Sequence, residues 1–231
     1  MKTILYTVLV ALMNLSVHAQ SAQDIAKAMS RGNKIKPKPE YNFAGSLKFQ
    51  VTANHEGKPY KGEQTWFFPV GNENIFGVSM NMGQRSNMRG VIDYTEKSMI
   101  MFMEDQKMIM GIPFDLNKTM NDSKLKVSVP KRTGRTKIVL GYKCDEWVTE
   151  NADYNTSVWM TDKLPINSTN FYKIMAQQLG KSTGTPMPAD MKGVPLEIQG
   201  TKKKTGEKFG MVCTEVSTKP IRFSTAGYKT M

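Results

Sequence analysis

The chain has 231 residues, enough to bury a sizeable core in one large domain or two small ones, and its 2 cysteines exclude a disulfide-built scaffold. Methionine is over-used at 18 residues, while aromatics stay at an ordinary 9%. The balance of 32 Lys and Arg against 20 Asp and Glu gives +12, but no aromatics interleave with the basic groups as a nucleic-acid stacking platform would need, so nucleic acid is not an expected partner.

The first stretch, "MKTILYTVLVALMNLSVHAQ", has Lys2, then an apolar run from Ile4 to Val17, then Val17-His18-Ala19 with small residues where a signal peptidase inspects the chain. The run is shorter than the ~20 residues of a spanning helix. We therefore expect a signal peptide over 1–19, cleaved near Ala19 or Gln20, and a periplasmic or secreted protein. Cleavage removes His18 and leaves His55 as the one mature histidine. Export also permits a bridge between Cys144 and Cys213; two buried free thiols are the alternative.

Residues 20–40 follow as a short helix, "SAQDIAKAMSRG" with Ser21 as cap, and a basic linker, "NKIKPKPEY", whose prolines oppose helix. Strand signals then dominate 41–231, which we take as a single domain. "GSLKFQVTA" alternates Leu47, Phe49 and Val51 with polar residues. "EQTWFFP" puts Trp66 and Phe68 on one face, and "IFGVSMNM" does the same for Phe76, Val78, Met80 and Met82. "GVIDYTEK" follows, and "SMIMFM" and "KMIMGI" then form a hairpin about "EDQK". "KLKVSV", "TKIVLGYKCDEWVTE" and "YNTSVWMTD" continue the series. One helix is expected in "NSTNFYKIMAQQLG", between a Ser168 cap and a Gly180 stop, with Phe171 and Met175 on its apolar stripe. Two strands, "VPLEIQG" and "EKFGMVCTEVST", complete the chain's pattern. Recurrent turn signals point to a mainly β (α+β) protein built as an antiparallel barrel or sandwich.

The hairpin is the unusual element. Met99, Met101 and Met103 share one face and Ile100 and Phe102 the other; Met108 and Met110 oppose Ile109. A strand that is oily on both faces has to be covered on both. In a curved sheet one face can meet the helix of Phe171 and Met175 while the other meets a cavity. Methionine's three rotatable bonds and soft sulfur suit a flexible guest such as an acyl chain, and equally suit a core that uses methionine as filler. Trp66, Phe68, Met99, Met101, Met103, Met108, Met110, Phe171 and Met175 are thus the candidate ligand-binding set. Copper, the soft-metal reading, is disfavoured: same-face neighbours along a strand lie roughly 7 Å apart, and no His or Cys is near to complete a site.

Other chemistry is thinly represented. His55 sits in the turn "HEGK" and reads as a solvated residue rather than a base. Asp145 and Glu146 beside Cys144 would raise its thiol pKa, the wrong direction for a nucleophile. No zinc-type cluster is spelled out, so no catalytic residue, metal or cofactor is expected. The basic groups Lys34, Lys36 and Lys38, then Lys131, Arg132 and Arg135, then Lys202, Lys203 and Lys204 fall mostly in expected turns; they form a solvated rim or attract an anionic membrane surface or acidic protein.

Two motifs carry a resemblance. "GYKCDEWVTENADYNTSVWMTDKLP" joins a Gly-Tyr-Lys-Cys strand to one with Trp159, and the chain ends in "RFSTAGYKTM"; "VIDYTEKSMIMFMEDQKMIMGIP" fits between. Together they resemble the exported bacterial family known as domain of unknown function 4412, itself distantly similar to periplasmic lipoprotein carriers. The resemblance implies a half-open antiparallel β-barrel with one or two helices covering a hydrophobic cavity, and no activity that transfers residue by residue. The expectation is a non-catalytic protein that binds a lipid, an acyl chain or an acylated protein in a concave sheet face. Its alternative is an envelope interaction module with a filled core and no small ligand.

Overall fold

The structure is a computed structural model, and it describes residues 35–230 apart from 56–57, 72, 83–84, 114–127, 152, 169–170, 172–187 and 189. Thirteen strands follow in chain order: β1 Glu40–His55, β2 Lys58–Pro69, β3 Ile75–Met82, β4 Arg85–Asp93, β5 Ser98–Met103, β6 Met108–Pro113 and β7 Lys131–Val139. Then come β8 Tyr142–Glu150, β9 Tyr154–Thr161, β10 Val194–Lys202, β11 Lys208–Ser217, β12 Ile221–Ser224 and β13 Lys229–Thr230. They form one sheet in the order β13-β6-β5-β4-β3-β2-β1-β11-β10-β9-β8-β7, with β12 pairing the start of β1. Two antiparallel meanders, β1 to β6 and β7 to β11, are thus joined where β1 pairs β11.

Local chemistry sets these hairpins. Asp93 is buried and accepts the N–H groups of Thr95 and Glu96 at 3.0 Å each, which pins the turn from β4 into β5. Lys38 reaches the same carboxylate at 2.8 Å, so the end of the basic linker is fastened to the sheet. Between β7 and β8 the two turn residues Leu140 and Gly141 have φ of 51° and 83°, the left-handed pair that matches strand twist in a two-residue hairpin.

The half-open barrel with covering helices is not what forms. The strand path is open, ending at β13 on one side and β7 on the other, and every element among the described residues is a strand. Consecutive strands pair within each meander, with residues 162–193 lying between β9 and β10, and the two meanders meet edge to edge through β1 and β11. The signal peptide and the helix expected at Ser21 lie outside the described residues, as does most of the helix expected over 168–180. Phe171, from that stretch, is described and buried.

Two apolar layers result. Leu47, Phe49, Trp66, Phe68, Phe76, Ile92, Leu196 and Met211 belong to the larger one. Tyr41, Phe43, Phe67, Val91, Ile100, Phe102, Ile109 and Phe223 form the second. Phe43 and Leu47 are four apart and would share a face of a regular strand. A bulge between Phe43 and Gly45 inserts a residue and sends them to different layers.

Candidate functional site

The hairpin of β5 and β6 is oily on both flanks, as its alternation requires. Met101 lies opposite Met110 and Met103 opposite Met108, while Ile100, Phe102 and Ile109 turn the other way. On the methionine flank Met99 and Met110 are buried, and Met101, Met103 and Met108 are half-buried. The register extends the set to neighbouring strands: Met88 of β4 stands opposite Met103, and Met80 of β3 opposite Met88.

Trp66 and Phe68 lie beside this flank in the larger layer, fully buried. Phe171 fills the space above them. Its ring centroid is 5.5 Å from Trp66, 5.6 Å from Phe68 and 4.9 Å from Phe76. Such tilted and edge-on contacts are favourable beyond the burial itself. Met175 lies outside the described residues. Where a guest was expected, the cleft bounded by Val78, Met80, Met88, Arg89, Gly90, Met99 and Met101 measures about 30 Å³. Ordinary ligand pockets run to roughly 300–1,000 Å³. A larger groove of about 410 Å³ opens on the surface between Asn42, Val70, Glu73 and Pro220, and none of the expected ligand residues lines it. Among the described residues, the Trp66 indole N–H is buried in this layer and makes no hydrogen bond, and the same holds for the Tyr94 hydroxyl packed against it.

The opposite flank is covered by the segment after β11, residues 221–230. Phe223 packs 4.9 Å from both Phe43 and Phe67 and 5.9 Å from Phe102. The Arg89 guanidinium lies 4.6 Å from the Phe223 ring and 5.2 Å from that of Phe102. Arg89 Nε donates to Glu104 at 2.5 Å, its Nη2 donates to the Tyr228 hydroxyl at 3.1 Å, and that hydroxyl donates to Glu104. The Lys229 N–H closes on the Lys107 carbonyl at 2.9 Å, and β13 pairs β6 in parallel. Burial opposes ionisation of Glu104, but the Tyr228 hydrogen bond and the Arg89 charge outweigh it and hold the carboxyl below its ordinary pKa. Sequence reasoning missed this lock. Its signal was present in "RFSTAGYKTM", quoted as a motif without a role.

At the far end of the sheet, β7 is an edge. Among the described residues no strand pairs its outer side. Its first half is irregular, with a register break between Arg132 and Thr136. Arg135 makes two bonds to the buried Glu146 at 2.5 and 2.6 Å, and Thr133 and Ser157 add bonds at 2.7 and 2.8 Å. Burial would raise the Glu146 pKa, yet these donors and the Arg135 charge bring it below the ordinary value. Lys137 lies 4.3 Å from the Trp159 ring and bonds Glu197 at 2.6 Å. Arg132 is paired with Asp145. The basic group expected as a solvated rim is therefore largely engaged in fastening the edge. The second half, Thr136 to Val139, pairs β8 regularly and carries Ile138 at 65% exposure.

Cys144 and Cys213 are buried free thiols in the larger layer. Burial is the main cause that pushes each pKa up to about 11. Among the described residues no group of three or more His, Cys, Asp or Glu is placed to hold a metal ion.

These features define a mainly β protein with a single sheet, antiparallel except where β13 joins β6, a filled aromatic layer and a locked segment after β11. Residues 43–225 match the model of the family described as a domain of unknown function (DUF4412), and the chain belongs to that family. No curated protein matches it. Among solved structures the chain is similar to PNGF-II, with 16% identity and a TM-score of 0.40 over 81% of this chain, spanning 31% of that one. It is also similar to the LolA superfamily protein NE2245 from Nitrosomonas europaea, at 10% identity and TM-score 0.33, covering 83% of this chain and 92% of that one. MucB in complex with MucA(peri) is a third, at 10% identity and TM-score 0.37, covering 85% and 55%.

Proposed function

We propose that this chain is an exported, non-catalytic interaction module whose interior is already full and which docks a protein partner along the free edge of its sheet. The observation that carries the reading is Phe171. Seated against Trp66, Phe68 and Phe76, it occupies the place an apolar guest would take and leaves a cleft of about 30 Å³ beside the methionines.

An open edge is the natural docking surface of such a sheet. An extended segment can add to it as a further strand, with main-chain bonds supplying affinity. Charge and bulging usually blunt an edge against this, and the first half of β7 has both. The regular half from Thr136 to Val139 has neither protection in full: Ile138 is exposed and Lys143 stands opposite it. The net charge of +12 favours encounter with an acidic partner.

A photo-crosslinking amino acid at position 138, in cells making the protein, tests this. The expected result is a discrete protein adduct at 138, absent from the exposed control position 155 and weakened several-fold by Lys143→Glu. Equal adducts at both positions, or none at 138, would contradict docking at this edge.

A further inference from the structure

We infer that the methionine flank of β3, β4 and β5 is a binding site for a single soft monovalent cation, Cu(I) in kind, held by thioether sulfurs. The objections from sequence were spacing along one strand and the lack of a nearby His or Cys, which an all-thioether site does not need. Register removes the first. Met80 stands directly opposite Met88 on the adjacent strand, and Met101, on the strand beyond, lies diagonal to Met88. Directly opposite residues have Cβ atoms about 4.5–5.5 Å apart and diagonal ones about 7–8 Å, both within reach of a side chain with three rotatable bonds.

The cleft itself is the second observation. It lies over Gly90, the residue between Met88 and Ile92 on the same face of β4, and is ringed by Met80, Met88, Met99 and Met101 with Val78. Glycine leaves the gap: a Cβ at position 90 would meet Val78 and the Ile100 carbonyl at ordinary contact distances of 3.6 Å, so the space is not needed for packing. At about 30 Å³ it has room for a water or an ion. Water is a poor occupant, because it needs two to four polar partners and a thioether is only a weak acceptor. A soft cation is a good one, since thioethers favour Cu(I) over harder ions. Arg89 also borders the cleft, but its guanidinium does not compete, because it turns to the other face, onto Phe102, Phe223 and Glu104.

The test uses Ag(I), a redox-inert stand-in, titrated into the full protein carrying ¹³C-methyl methionine. The expected result is one equivalent bound, with methyl shifts at Met80, Met88, Met99 and Met101 and none at Met160 or Met191, which pack together elsewhere. Met88→Leu combined with Met101→Leu conserves volume and should weaken binding at least tenfold while leaving the thermal midpoint within a few degrees. Bound silver that leaves those four methyls unmoved would sit on Cys144 or Cys213 and overturn the inference. Binding unchanged in the double variant would overturn it equally.

Discussion

Phe171 and Phe223 do the same work on opposite sides of one sheet. Each inserts an aromatic ring into an apolar layer, Phe171 among Trp66, Phe68 and Phe76 and Phe223, from the short strand β12, among Phe43, Phe67 and Phe102. Truncating a packed Phe to Ala costs about 3–5 kcal/mol, so Phe171→Ala and Phe223→Ala should each lower stability by that order in urea unfolding. A loss under about 1 kcal/mol at Phe171 would mean the layer does not depend on it. Trp66→Phe should cost less than either, because it removes a buried N–H that has no partner along with the ring it deletes. The thiols behave as residues of the core. With both pKa values near 11, Cys144 and Cys213 should ignore a thiol reagent at neutral pH and react as two equivalents in denaturant. Failure to find thiols after unfolding would show a bridge. At this scale the sequence was readable wherever alternation was regular, which placed Trp66 with Phe68 and separated the methionines from Ile100 and Phe102. It was opaque at Phe43, because a single inserted residue reverses facing without any mark in composition.

The elements differ in what holds them. The hairpin of β5 and β6 is secured by burial on both flanks, whereas β7 is secured by ion pairs to carboxylates on inner strands. Glu104 and Glu146 both have folded pKa values below the ordinary 4.5. A depressed carboxylate contributes stability that is complete above its unfolded pKa and is lost as pH falls through the folded value. Stability should therefore be flat near neutrality and fall below about pH 4.5. Denaturant midpoints taken from pH 7 to pH 3 check this, and Glu146→Gln should flatten part of the decline. An undiminished slope in that variant would place the titration elsewhere. The hairpin was legible as an element from its residues. The engaged state of Arg135 and Lys137 was not, because their partners lie on β8 and β10, and pairing across strands is set by topology rather than by nearness in the chain.

Across the whole molecule, the decisive feature is that segments flanking the meanders, Ile35 before β1 and residues 221–230 after β11, cover the second flank. Ile35 and Tyr228 pack against the layer of Ile100, Phe102 and Ile109, and β12 and β13 pair with β1 and β6. Ending the chain after Thr218 should expose that layer, abolish cooperative unfolding and raise binding of a hydrophobic dye. A truncated protein with an unchanged transition would contradict the role of these segments. The many short strands and their antiparallel sense were readable in periodicity and turn residues. The open path was not, since the same strands could have closed on themselves; the choice lies in the β1 to β11 pairing, with residues 166 positions apart in contact. The resemblance to carriers implied a cavity; Phe171 instead packs on Trp66, Phe68 and Phe76, and the cleft beside the methionines measures about 30 Å³.

Native mass spectrometry of the protein extracted gently from its own envelope tests that central claim most directly. A filled interior predicts the mass of the polypeptide, alone or with a protein partner, and no lipid. A stoichiometric lipid adduct that disappears in a Phe68→Arg variant that remains folded would contradict it.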